Sequence, residues 1–269
     1  MSEAPTAADA GTKFDNNGQY SRNSILRYEK IFGANYISTG GAETTENLFA
    51  RLDGWLKPGL RALDVGSGIG GAAFDLVEKH GVNVVGIDLA EEMVAVAHDR
   101  AKAAGMADKV QFILGDVLKT DFPEKFDLIW SRDAFMHIPD KAQLFGKLFS
   151  LLAPGGRLII TDYARGKTPG SPAFEEYIKK TGYSVIEPEQ YGKALEAAGF
   201  VDVKVDDATA TFVDILERES KRLRDHRAEF LSDFSEEDLN YLVDRWKMKE
   251  EFCAAGDMKW GIYLASKPA

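Results

Sequence analysis

The sequence predicts a doubly wound α/β fold, a mostly parallel sheet with helices on both faces, preceded by an N-terminal helical segment and carrying a cap inserted late in the chain. Three observations carry this. Short runs rich in Val, Ile and Leu alternate with helix-length stretches from residue 61 to residue 164, the rhythm of strand–helix–strand units. A glycine-dense loop, LDVGSGIGG over 63–71, sits at the first strand-to-helix junction. Acids stand at the ends of three successive strands, Asp64, Asp88 and Asp116, and in such sheets ligands bind outside the carboxyl ends of strands.

Residues 1–13 are small and polar and read as a disordered tail. An N-terminal helical segment is expected over 14–56, which the resemblance given below makes a lid. Within it SRNSILRYEKIFG (21–33) forms a helix, because Ile25, Tyr28 and Phe32 recur at helical spacing. The glycine pair of ANYISTGG breaks that helix, and AETTENLFARLDGWL (42–56) forms a second one that ends at KPG. The core is expected over 57–164. RALDVG is a strand, and GGAAFDLVEKHG is a helix closed by Gly81 at the usual C-terminal position. VNVVGIDL is a strand, followed by AEEMVAVAHDRAKAAG, a helix with acids first and bases last, as the helix dipole favours. KVQFILGDV and KFDLIWS are strands, KAQLFGKLFSLLAPGG is a helix stopped by Pro-Gly-Gly, and RLIITDYA is a strand.

After Ala164 the rhythm changes. RGKTPGSP reads as a loop, AFEEYIKKTGY and PEQYGKALEAAGF as helices, and 201–234 as a strand running into a long charged helix. The span 165–255 is read as a substrate cap, and 256–269 supplies the last strand of the core through DMKWGIYLASKP.

Composition narrows the function. The chain of 269 residues carries a net charge of -10 and no visible basic stripe, so a nucleic-acid partner is not expected. Cys253 is the single cysteine, and the four histidines at 80, 98, 137 and 226 lack metal-ligand spacing; neither a disulfide framework nor a metal site is expected. No signal-peptide core and no apolar run of ~18 residues is present. The expectation is a cytoplasmic monomer acting on a small molecule.

The glycine loop spaces Gly66, Gly68 and Gly70 as D-x-G-x-G-x-G, with Asp64 two residues before the first glycine. A dinucleotide site calls for G-x-G-x-x-G and a helix N-terminus on a pyrophosphate. An acid at Asp64 opposes a pyrophosphate and suits a cofactor carrying an ammonium group. Asp88, eighteen residues past Gly70, stands where a carboxylate can bond both hydroxyls of a ribose, and Asp116 is placed to meet an adenine amino group. S-adenosylmethionine satisfies all three.

The loop, the GIDL acid and the GDV acid resemble class I S-adenosylmethionine-dependent methyltransferases, with their Rossmann-like sheet. FGANYISTGG, FDLIWSRDAFMHI, GRLIITDYA, SDFSEEDL and KWGIYLA narrow the resemblance, from about Gln19 to Lys267, to the phosphoethanolamine N-methyltransferases. That family methylates phosphoethanolamine successively to phosphocholine, a step of phospholipid metabolism. The resemblance implies cofactor contacts at Ile37, Ser38, Leu89, Val117 and Arg132 as well as at the loop and its acids. Arg132 has a second reading, an ion pair with an acid on the next turn.

Transfer of a methyl group to an amine of pKa ~10 requires a free lone pair, so an acceptor for the amine proton helps. Asp133 and His137 are four apart, and would share one side of a helix if a helix begins after Ile129. There the aspartate would hold an ammonium and the histidine take its proton. The resemblance gives both residues this role, and implies that Tyr20 pairs with the histidine as a latch. It further implies phosphate-end contacts from Tyr28, Tyr163, Tyr177, Tyr183 and Lys249. One departure stands out: where the family pattern Y-x-x-x-R-x-Y has its arginine, this chain has Thr181. That leaves open another small anionic amine or thioether, such as sarcosine or dimethylglycine. A non-catalytic cofactor-binding module is a third reading, opposed by the presence of Tyr20, Asp133 and His137 together.

Overall fold

The computed structural model describes residues 22–52 and 54–269. Tyr20 and the expected tail lie outside the described residues. Among the described residues seven strands form one sheet in the order β3-β2-β1-β4-β5-β7-β6. β1 (Arg61–Val65), β2 (Asn83–Asp88), β3 (Val110–Leu114), β4 (Phe126–Arg132) and β5 (Leu152–Arg165) are parallel neighbours. β7 (Met258–Ser266) runs antiparallel between β5 and β6 (Val201–Asp207). The order reverses between β1 and β4, the switch point at which such sheets open a crevice.

Helices cover both faces. α3 (Gly71–His80) and α4 (Glu91–Ala103) pack with Leu128 and Trp130 of β4 on one side. α5 (Lys141–Leu151) and α7 (Pro188–Ala197) pack with Ile129 on the other. A strand buried on both faces has no polar side to show, which is why KFDLIWS is a nearly continuous apolar run. Helix ends follow their sequence signals. Gly81 closes α3 in the left-handed region at φ 66, and the side chain of Asp140 accepts from the Gln143 N–H at the start of α5.

Before the sheet lie α1 (Arg22–Phe32) and α2 (Gly41–Ala50). The second expected helix therefore stops six residues early; its C-cap is Arg51, and the chain turns at Gly54, whose φ is 64. Strand β5 begins before the Pro-Gly-Gly expected to precede it. Leu152 already pairs with Phe126, the ladder resumes with Arg157 opposite Leu128, and Gly155 bulges out at φ 73. The span 165–255, expected as a single cap, is divided. β6 is the edge strand of the sheet and α7 packs beneath it. α6 (Pro172–Thr181), α8 (Thr209–Asp225), α9 (Arg227–Phe230) and α10 (Glu236–Ala254) make up the remainder. α8 and α10 pack with α1 at the carboxyl edge of the strands, Tyr28 and Phe32 meeting Trp246.

Candidate active site

The helix expected after Ile129 does not form. β4 continues to Arg132, and Asp133 takes the left-handed conformation at φ 49. A single 3-10 turn, Phe135–His137, follows. The sharp bend is fixed by the Asp133 N–H, which donates to the Thr161 carbonyl at 2.8 Å. Asp133 and His137 thus reach one cavity through a strained turn, not through helical spacing.

That cavity runs across the carboxyl ends of β1, β2 and β4. At one end lie Gly66, Asp88, Leu89, Asp116 and Val117, with Ile37 and Ser38 from the α1–α2 connection. Asp88 accepts from the N–H groups of Gly68 (2.8 Å) and Ala90 (2.9 Å). A carboxylate offers about four acceptor sites, so capacity remains for two hydroxyls. Burial raises its pKa, opposed by those backbone donors. The chain passes so close at the loop that a Cβ on Gly66 would meet the Ala134 Cβ at 2.4 Å, and one on Gly68 the Ile37 Cδ1 at 2.8 Å. Asp64 opens onto an adjoining hollow shared with Ile37, Ser38, Gly66, Gly68 and Arg132. Burial, then the charge of Asp88, raises its pKa to about 7, with Arg132 opposing. Asp116 is tied by its Oδ1 to the Leu118 N–H at 2.9 Å.

Arg132 borders the cavity but forms no ion pair with an acid on the next turn. It donates to the carbonyls of Thr39 (2.6 Å) and Gly41 (3.0 Å) and to the Thr45 hydroxyl (2.8 Å). Its work is to fasten the α1–α2 connection over the strand ends. Glu219 of α8 fastens the same segment from outside, accepting the Gly40 N–H and the Trp246 Nε1–H, each at 2.8 Å.

In the middle of the cavity, Asp133 Oδ1 accepts from Trp260 Nε1 (2.8 Å) and Thr161 Oγ1 (3.0 Å). Its Oδ2 is buried without a hydrogen-bond partner among the described residues. A buried carboxylate oxygen left this way is costly unless a ligand donor or cation meets it. His137 stands edge-on to the Tyr183 ring at 5.1 Å. Burial, and then the charge of Lys141, lowers its pKa to about 4, so the ring is neutral at physiological pH. The Lys141 ammonium holds this turn, donating to the carbonyls of Phe135, Ile138 and Ser184 at 2.6–2.9 Å.

The far end is aromatic and cationic. Tyr28, Tyr163, Tyr183, Arg245, Trp246 and Lys249 line it. Lys249 donates to the Tyr163 hydroxyl at 2.7 Å. Burial, and then the Arg245 charge, lowers its pKa to about 7. Tyr177 supports Tyr183 from behind, ring to ring at 5.9 Å, and is not in the cavity wall. Thr181 also stays outside it, its hydroxyl donating to the carbonyls of Tyr177 (2.8 Å) and Ile178 (3.2 Å) of its own helix.

A family model described as a methyltransferase domain matches residues 56–199. Phosphoethanolamine N-methyltransferase of Plasmodium falciparum is 37% identical over 258 residues, 94% of this chain and 95% of that protein. The chain belongs to the phosphoethanolamine N-methyltransferase family. Phosphoethanolamine N-methyltransferase 1 of Arabidopsis thaliana is 44% identical over 95% of this chain and 51% of that protein. The chain thus spans about half the length of the plant relatives it matches. Among solved structures, the Haemonchus contortus phosphoethanolamine N-methyltransferase 2, in complex with phosphomonomethylethanolamine and S-adenosylhomocysteine, superposes with a TM-score of 0.91. It is 35% identical, over 95% of this chain and 60% of that one.

Within this family member, sequence reasoning missed Arg245, Trp260, Glu219 and Lys141. A signal existed for the first: DRWKMK sets Arg245 and Lys249 four apart beside a tryptophan, so both bases share one side of α10. Trp260 and Glu219 act through contacts distant in sequence, and Lys141 joins the local carbonyls of Phe135 and Ile138 to that of Ser184, 43 residues on. Among the described residues no cluster of three or more His, Cys, Asp or Glu side chains is arranged to hold a metal ion, and no helix is long and apolar enough to cross a membrane.

Proposed function

We propose that this chain transfers methyl groups from S-adenosylmethionine to the nitrogen of phosphoethanolamine and of its mono- and dimethyl forms, yielding phosphocholine. The observation that carries the reading is Asp133 Oδ2, a carboxylate oxygen unpaired among the described residues, in the wall of a cavity that has acids at one end and bases at the other. A zwitterion with an ammonium head and a phosphate tail matches that polarity. The relatives named as phosphoethanolamine N-methyltransferases support it.

The donor set fits the cofactor: Asp88 for ribose hydroxyls, Asp116 for the adenine amino group, Asp64 for the ammonium. When bound, S-adenosylmethionine supplies an electrophilic methyl group. The chain's residues do the rest. Asp133 holds the substrate ammonium and aims its nitrogen. His137, kept neutral by burial, does not repel that ammonium and stands beside it as the acceptor for its proton. The α1–α2 connection, clamped by Arg132 and Glu219, excludes water. We assign Tyr20 as the latch over His137, residues 14–56 as the lid, 57–164 with 256–269 as the cofactor-binding core, and the helices within 165–255 as the cap. We further read the enzyme as a cytoplasmic monomer, which the single cysteine suits.

The test is product analysis with S-adenosylmethionine and each of phosphoethanolamine, its mono- and dimethyl forms, sarcosine and dimethylglycine. Methylation of the phosphorylated amines is expected. Turnover confined to sarcosine or dimethylglycine would assign the enzyme to a carboxylate substrate instead.

A further inference from the structure

The family resemblance implies a phosphate-binding arginine on the helix that here is α6, and this chain has Thr181 in its place. Its hydroxyl is bonded into its own helix, so α6 offers the ligand neither charge nor donor at that position. The anion end of the cavity nevertheless holds two cations, both from α10. Lys249 is buried and Arg245 half-buried. Neither has a carboxylate within 4 Å among the described residues, although seventeen ion pairs form elsewhere. Among the described residues Arg245 bonds the Tyr241 hydroxyl, at 2.8 Å, and its electrostatic neighbours are the hydroxyls of Tyr28, Tyr183, Tyr241 and Tyr177. Those include the tyrosines the missing arginine would have served. A guanidinium with several donors to spare, beside a cavity and ringed by hydroxyl groups rather than acids, is an anion site.

We infer that Arg245 of α10 has taken over the phosphate-binding role of the absent α6 arginine, forming with Lys249 a two-cation clamp for a phosphomonoester. This rests on the reading of the substrate as a phosphorylated amine. Arg245 and Lys249 lie four apart on one helix face, so a phosphate bridging them is read by a single rigid element. The planar fork of Arg245 takes two phosphate oxygens and the Lys249 ammonium the third. The chain thereby keeps the charge count of the site while changing the helix that supplies it.

The test uses the full chain with Arg245→Gln, Arg245→Lys and the double variant Thr181→Arg/Arg245→Gln. Inorganic phosphate is titrated by melting shift, and phosphoethanolamine by turnover. Arg245→Gln is expected to abolish the phosphate-induced shift and to raise the KM for phosphoethanolamine about 10- to 150-fold, the worth of one charge-assisted contact, with S-adenosylmethionine affinity unchanged. Arg245→Lys should recover part of that loss, and Thr181→Arg should recover it further by restoring a guanidinium from α6. Equal phosphate shifts in wild type and Arg245→Gln, or no shift in either, overturn the inference. Absence of wild-type turnover with phosphoethanolamine, while phosphate still shifts wild type and not Arg245→Gln, overturns the substrate reading and leaves the clamp standing.

Discussion

Asp133 separates charge from architecture, because its two oxygens do different work. Oδ1 accepts from Trp260 Nε1 and Thr161 Oγ1, while Oδ2 faces the cavity with no partner among the described residues. Asp133→Asn keeps an acceptor for the first pair, and asparagine tolerates the left-handed backbone at φ 49. Its folding stability should stay within about 0.5 kcal/mol of wild type. Only the charge aimed at the substrate ammonium is lost, worth ~1.5–3 kcal/mol and so roughly a 10- to 150-fold drop in kcat/KM for phosphoethanolamine. Asp133→Ala loses that charge too. It also leaves the buried Trp260 N–H unsatisfied, at ~1–3 kcal/mol, and puts a Cβ-bearing residue without a polar side chain in the left-handed region, at ~1–2 kcal/mol. It should therefore be destabilised by about 2–5 kcal/mol. Initial rates and denaturant melts on both variants give the two numbers separately. Asparagine kinetics within twofold of wild type, or asparagine as unstable as alanine, would refute the division of labour.

Asp88→Ala should weaken S-adenosylmethionine binding at least ~100-fold by titration calorimetry, since it removes an acceptor shared by two ribose hydroxyls and frees the Gly68 and Ala90 N–H groups. His137→Ala should lower kcat by ~100-fold or more with cofactor affinity unchanged. Because burial holds His137 near pKa 4, the wild-type rate should show no histidine titration between about pH 5 and 7. Lys249 predicts a proton-linked substrate affinity. Its pKa in the free protein is about 7 and an anion raises it, so binding takes up a proton above pH 7, and affinity falls as pH rises until the bound-state pKa is passed. Calorimetry in two buffers of different ionisation enthalpy reads the uptake, which Lys249→Met should abolish.

The legible parts of this molecule are those whose causes lie close in sequence. The glycine loop, the acid after the next strand and the alternation of strand and helix are local patterns, and they placed Gly66, Gly68, Asp64, Asp88 and Asp116 at the crevice. Arg132 read ambiguously because its partners Thr39, Gly41 and Thr45 are 93, 91 and 87 residues away. The Trp260 bond that orients Asp133 spans 127 positions. A helix after Ile129 was the natural expectation for an i, i+4 pair, but the Thr161 carbonyl on the neighbouring strand captured the Asp133 N–H and the chain turned instead. Arg245 sat within an evidently charged helix, whose solvent side and cavity side look alike until its packing against α1 and α8 sets them apart.

On the proposed reading, the arrangement around Asp133 also explains how one site can act on three substrates in turn. Each methylation removes an N–H donor, so a site that recognised the amine through a fixed set of acceptors would lose affinity at every step. Asp133 contributes mainly a charge through Oδ2, and an ammonium keeps its charge however many methyl groups it carries. The phosphate end, meanwhile, is the same in every intermediate, so the α10 cations hold a constant anchor while the head group grows. What ends the sequence is the nitrogen itself: once quaternary it has no proton for His137 and no lone pair to attack with, and the reaction stops at phosphocholine without any residue having to count.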